Sequence, residues 1–206
     1  MQKHAWRRSP EYLQYLDTQL RRTLSKKDAP LPARARALID KVAASTDLSQ
    51  CDVLCVGARN RAEVDYFRRK GARSATGIDL HSDFAQDSRI LVMDMHQMSF
   101  PDNRFDLVYS SHSLEHAYDP RQVVSEIVRV SRPQALVVIE VPVQYEVRGA
   151  DRLDFGDCQN LHSYFSPHLH EVLWCEGPQA PQPPGEGAYK IIRTMFSIRS
   201  GTGSSE

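Results

Sequence analysis

Four short apolar runs each end in residues able to meet a ligand. "DVLCVG" ends on Gly57, "SATGIDL" passes through Asp79, "RILVMD" reaches Asp94, and "FDLVYSSH" delivers Ser110, Ser111 and His112. Asp79 follows Gly57 by 22 residues, close to the spacing at which a carboxylate accepts the hydroxyls of a ribose. A carboxylate suits a diol because it offers only acceptor sites and takes two donors at once. Asp94 could accept from an adenine amino group while the Met95 backbone N–H meets a ring nitrogen. Each aspartate also has a bland reading, a strand-ending surface group for Asp79 and a turn cap for Asp94. The ordered set is what carries the signal.

The histidines admit rival chemistries. "HSLEH", His112 to His116, matches H-x-x-E-H, a zinc-peptidase signature, but it follows directly on a strand and has no partner glutamate helix downstream. Read otherwise, His112 is the candidate general base or acceptor-orienting group, because imidazole titrates near neutral pH, and His116 packs or caps. The segment holding Cys158, His162, His168 and His170 matches no closed zinc pattern, so no metal site is assigned.

The elements that position these residues follow from periodicity. Ser9 as N-cap and Pro10 at the first helical position open a helix with Leu13, Leu16, Leu20 and Leu24 as its stripe. Pro32 opens a second, with Leu38, Ile39 and Val42 on one face. "RAEVDYFRRKG" is helical and stops at Gly71; Glu63, in its first turn, favours the positive end of the dipole. "PRQVVSEIVRVSRP" is an amphipathic helix, and "ALVVIEVP" is a fifth strand apolar enough to be covered on both faces. Alternating strands and helices of this kind predict an α/β fold: a doubly wound, Rossmann-like, mainly parallel sheet preceded by N-terminal helices. Ligands then bind outside the carboxyl ends of the strands, where the strand order reverses. Past Pro142 the pattern predicts a helix over "FSPHLHEVLW", capped by Ser166 with Pro167 first, a loop from Gly177 to Gly187, and one last strand in "YKIIRTMFSIR". This implies a shortened or rearranged C-terminal sheet edge. Residues 1–50 read as a helical extension, 51–200 as the main domain, and 201–206 as a frayed tail.

Composition narrows the classes. Basic and acidic residues number 26 each in 206, so no global field draws the chain to nucleic acid or anionic lipid. No run approaches the roughly 18 apolar residues of a membrane span, and the N-terminus lacks a secretory h-region. Cys51, Cys55, Cys158 and Cys175 suggest neither a disulfide framework nor a C-x-x-C site, which predicts a reducing cytoplasm.

The ordered segments "GIDL", "VMDMHQMSFPDNRFDLVYSSHSLEH" and "EIVRVSRPQALVVIEVP" resemble the class I S-adenosylmethionine-dependent methyltransferases, over roughly Asp52 to Val143. The family's first loop is commonly D-x-G-x-G-x-G, which falls here on Cys55, Gly57, Arg59 and Arg61, so only Gly57 survives. Its Pro-Gly-Gly turn before strand five is here Pro133, Gln134 and Ala135. A dinucleotide needs such glycines for the approach of its pyrophosphate, whereas S-adenosylmethionine carries no phosphate and tolerates their loss.

The resemblance implies S-adenosylmethionine as cofactor, held by Gly57, Arg59, Asp79, Leu80, Asp94, Met95, Ser110 and Ser111. Arg59 could pair bidentately with the methionine carboxylate or, like Arg61, face solvent. It implies methyl transfer to a small-molecule, sugar or lipid-linked acceptor, with His112 catalytic and the region after strand five, including His162 and Tyr164, lining the acceptor pocket. Tyr145, Asp151 and Asp154 share that standing. The alternatives are a non-catalytic cofactor- or partner-binding protein and, more distantly, the zinc hydrolase.

Overall fold

The computed structural model describes residues 9–81, 89–147, 149–179 and 190–199. The expected tail, and the part of the expected loop from 180 onward, lie outside these residues. Five strands, β1 (Asp52–Val56), β2 (Ser74–Asp79), β3 (Ile90–Val92), β4 (Phe105–Ser111) and β5 (Ser131–Val143), run parallel; β7 (Lys190–Ile198) and β6 (Leu169–Gln179) complete the sheet antiparallel. The order is β3-β2-β1-β4-β5-β7-β6. Successive side chains of a strand face opposite sides, so Val53 and Cys55 pack under α2 (Ala33–Ser45) and α3 (Ala62–Arg69). Leu54 and Val56 join the other layer, under α4 (Pro120–Val130) and α5 (Cys158–Ser163). All five β1 residues are buried, as a parallel strand covered on both faces requires. No helix among the described residues is long and apolar enough to cross a membrane.

Most helix expectations hold. Asp119 caps α4 by accepting from Gln122 N, and Val123, Val124, Ile127 and Val130 are buried. Ser9 accepts from Tyr12 N at the start of α1 (Pro10–Ser25). The stripe of α1 is corrected, however. Tyr12, Tyr15 and Gln19 are its buried residues, while Leu13 is 57% and Leu24 40% exposed.

The C-terminal region departs from expectation. "FSPHLHEVLW" is not a helix: Leu169 onward is strand β6, and the sheet edge is a full hairpin rather than a shortened one. Gly177 and Pro178, expected in a loop, belong to β6. As an edge strand β6 leaves Val172 and Leu173 about 40% exposed, so no clean alternation marked it. Cys158 and Cys175 form a disulfide between α5 and β6, against the expectation of unpaired thiols; Cys51 and Cys55 are free and buried.

Candidate cofactor and active site

The strand order reverses between β1 and β4, which places the open crevice at their carboxyl ends. Gly57 leaves β1 with φ +73°, a left-handed conformation natural to glycine, and a Cβ there would overlap the Ser113 hydroxyl. The loop then folds back. Gly57 N and Ala58 N both donate to Ile78 O, and Arg59 N donates to Asp79 Oδ2 at 3.0 Å. Asn60 fixes the loop's far side: its Oδ1 accepts from Ala62 N at the start of α3. Its amide donates to Lys27 O and Ala29 O in the α1–α2 linker.

Gly57, Arg59, Asp79, Leu80, Asp94, Met95 and His112 line one cleft together with Ile78, Met93, Ser113 and His116. Ser110 does not line it, being buried within β4. Ser111 faces an adjoining recess and donates to Glu140 Oε1 at 2.9 Å.

α1 supplies the wall that sequence reading missed. Tyr15, Gln19, Arg22 and Thr23 all reach the cleft. Gln19 donates to Ala150 O at 2.8 Å, and Arg22 pairs with Asp151 at 2.9 Å. Tyr12 donates to Asp94, and Thr23 donates to Asp79 Oδ1 at 3.0 Å. The spacing of these residues, three and four apart, was as helical as the leucine stripe, so pattern alone could not choose between the faces.

The two aspartates differ in their free capacity. Asp79 Oδ1 also accepts from Leu80 N, so three of about four acceptor positions are filled from within the chain. Asp94 accepts from His96 N, the His96 ring and Tyr12, and its loop is closed by Gln97 N donating to Asp94 O. Burial works to raise the Asp94 pKa, but His96 and Tyr12 outweigh it and leave the carboxyl below its ordinary value. The turn-cap role is thus built in, and Asp94 reaches the cleft as an already committed carboxylate.

His112 has φ +53° and stands between elements. Arg34 Nε donates to its Nε2 at 3.1 Å, Glu140 lies 3.4 Å away and Glu115 3.8 Å away. Glu140 is fully buried. Burial would raise its pKa, yet His112 and Arg193 bring it down to about 2. His116 is 3.0 Å from Asp151. His112 directly follows β4 while Leu114–His116 is a single turn, so "HSLEH" is not one helical face. Among the described residues no group of three or more His, Cys, Asp or Glu could hold a metal ion. His162 meets Thr194 Oγ1 at 2.8 Å and the edge of Phe196, and Tyr164 lies under Arg121. Neither lines the cleft.

Residues 54–139 match the family profile described as "Methyltransferase domain". The chain is 50% identical over 48 residues to the "Probable tocopherol O-methyltransferase, chloroplastic" of Oryza sativa subsp. japonica, covering 23% of this chain and 13% of that protein. It is 30% identical over 83 residues to the malonyl-[acyl-carrier protein] O-methyltransferase of Halorhodospira halophila, covering 39% and 28%. The chain thus spans less than a third of the length of these curated relatives. Among solved structures, the 1,6-didemethyltoxoflavin-N1-methyltransferase of Burkholderia thailandensis superposes with a TM-score of 0.71 at 18% identity, over 93% of this chain and 91% of that one. That likeness shows the fold.

The fold and the matched segment define a nucleoside-cofactor transferase domain. Over residues 54–139 the matched segment, and over the whole sheet the fold, are those of the class I S-adenosylmethionine-dependent methyltransferases, whose cofactor is S-adenosylmethionine.

The residues present fit that group. A carboxylate at the β2 tip, the apolar Ile78, Leu80, Met93 and Met95, and a cationic Arg59 share the cleft, matching a ribose, a base and an anionic end.

Proposed function

We propose that the protein moves a methyl group from S-adenosylmethionine to a nucleophilic atom of a small-molecule, sugar or lipid-linked acceptor. One observation carries the reading: residues from the tips of β1, β2 and β4, with the loop after β3, line a single cleft at the topological switch point. When bound, the cofactor supplies a methyl already activated by its sulfonium. Asp79 receives the ribose, taking one hydroxyl at its remaining acceptor position and a second as the Thr23 hydroxyl yields. Ile78, Leu80, Met93 and Met95 wall the base, and the Asp94 loop fixes Met95 beside it. α1 covers the cleft and excludes water, and His112 faces the acceptor and accepts its proton as Arg34 withdraws from Nε2. Orientation alone can supply about 7–11 kcal/mol of such a barrier, so the lack of a triad among the described residues is no obstacle. The names of the relatives, which include O- and N-methyltransferases, support the reaction class rather than one acceptor.

The occupancy of Asp79 by Thr23, Leu80 and Arg59 favours a second reading, a cofactor- or partner-binding protein without catalysis. Thermal melting with S-adenosylhomocysteine tests both. At about 100 times the dissociation constant, binding adds roughly 2.7 kcal/mol, on the order of 5–10 °C at this size. No shift at millimolar ligand removes the cofactor reading. A shift with no methyl transfer across oxygen, nitrogen and carbon acceptors selects the second.

A further inference from the structure

Beyond the first loop, and sharing Gly57, Arg59 and His112 with the cleft, lies a recess that the start of α2 and the first turn of α3 enclose. Glu63 reaches it from α3 and Arg34 from α2. Arg59 and Glu63 are partly buried. Among the described residues neither makes a side-chain hydrogen bond or an ion pair, though each feels the charge of the other. An arginine and a carboxyl held in one recess without meeting is an unfavourable arrangement, since partial burial disfavours both ionised forms and no contact offsets it. The ligand that relieves it carries a cation and an anion a few ångströms apart. α2 adds to the anionic side, because its N-cap, Pro32, supplies no side-chain cap and leaves the first-turn N–H groups open to a ligand.

Resting on the methyltransferase reading, we infer that this recess receives the amino-acid end of the cofactor, with the Glu63 carboxylate taking the α-ammonium and Arg59 the α-carboxylate. Cys55 occupies the first-loop position where the family commonly has an acid, and burial pushes its thiol well up, so it offers no charge. Glu63, from the first turn of the following helix, supplies that carboxylate instead. The loss of acid and glycines from the loop and the arrival of Arg59 and Glu63 then form one substitution: backbone contacts exchanged for an ion-pair clamp.

Burial sets the Glu63 pKa at about 8 in the free protein, with Arg59 and Arg34 working against the shift and Glu140 and Asp79 with it. Cys55 and Tyr109, beneath it on β1 and β4, are both pushed up by burial and stay neutral near pH 8; His112 is the other titratable group of the recess. Taking the ammonium therefore requires Glu63 to release its proton.

The test compares S-adenosylhomocysteine with 5′-methylthioadenosine, which lacks the amino-acid end, by calorimetric titration between pH 6 and pH 9. Wild-type affinity for S-adenosylhomocysteine is expected to fall toward tenfold per unit below about pH 8, with proton release on binding, while methylthioadenosine shows neither. Glu63→Gln should weaken S-adenosylhomocysteine roughly 10- to 150-fold, the range for a hydrogen bond to a charged group. It should leave methylthioadenosine within about twofold, which also reports that the variant is folded, and should abolish the pH slope. Equal effects on the two ligands, or a slope that survives Glu63→Gln, overturn the assignment while leaving the cofactor reading standing. If Glu63→Gln loses both ligands, the wild-type comparison decides: equal proton exchange for the two overturns it. Failure of both ligands to bind the wild type removes the methyltransferase reading itself.

Discussion

Glu63→Gln has a consequence for stability that can be worked from the structure without any ligand. The carboxyl is pushed from 4.5 to about 8 by burial. In the unfolded chain it ionises near its ordinary value, so between these limits the native state holds a proton that the unfolded state lacks. Stability is then fully present below pH 4.5 and is lost as pH rises through about 8. Each unit is worth about 1.36 kcal/mol, so between pH 6 and pH 9 the wild type loses up to roughly 3 kcal/mol through this group alone. Partial exposure of the side chain screens that, leaving about 1–2 kcal/mol as the expected loss. Glutamine has nearly the shape of the protonated acid and does not titrate. The variant's advantage over wild type should therefore grow by that amount from pH 6 to pH 9, on the order of 2–8 °C in melting temperature for a chain of this length. Paired melting curves at the two pH values are the assay. An advantage that is the same at both, or that shrinks as pH rises, would refute the claim that Glu63 is held protonated by its surroundings. The sign is also what a binding residue should show, since a group poised for a ligand costs stability in the ligand's absence.

Three further outcomes follow from the cleft. Asp79→Ala should weaken S-adenosylhomocysteine by about 1.5–3 kcal/mol in calorimetric titration, the value of hydrogen bonds to a charged group; near-wild-type affinity would place the ribose elsewhere. Thr23→Val removes the donor now on Asp79 Oδ1 and should strengthen the same ligand by about 1 kcal/mol, because the ribose no longer displaces a hydrogen bond. A weakened affinity would instead make Thr23 part of the ligand's shell. Glu140→Gln should destabilise the protein by about 3–5 kcal/mol at neutral pH, since it strips Arg193 of its buried partner. The gap should close as pH falls toward about 2, where wild-type Glu140 itself takes up a proton; denaturant unfolding along a pH series reads it.

The positions of the strands were legible because a parallel strand covered on both faces must be mainly apolar, and "DVLCV" and "ALVVIEVPV" are, Asp52 and Glu140 apart. The cap of α1 was legible for an equally local reason: Ser9 satisfies the Tyr12 N–H three residues away. β6 was not legible. An edge strand is covered on one side only, so its pattern is broken, and Ser166-Pro167 before it imitates a helix start. The face that α1 buries was also hidden, because Tyr12, Tyr15 and Gln19 have the same period as the leucines, and only the cleft beneath them selects which set turns inward.

By itself the sequence determined the alternation of strands and helices that predicts a doubly wound sheet, and the order in which Gly57, Asp79, Asp94 and His112 come to the strand ends, since each element is marked by the pattern of residues near one another along the chain. Tertiary structure alone decided how those groups are engaged. The Thr23 bond to Asp79, the Tyr12 bond to Asp94 and the recess that holds Arg59 and Glu63 together join α1, α2 and α3 to strand tips distant in sequence. No periodicity records such meetings, because they are fixed by where the packed layers bring the helices to rest.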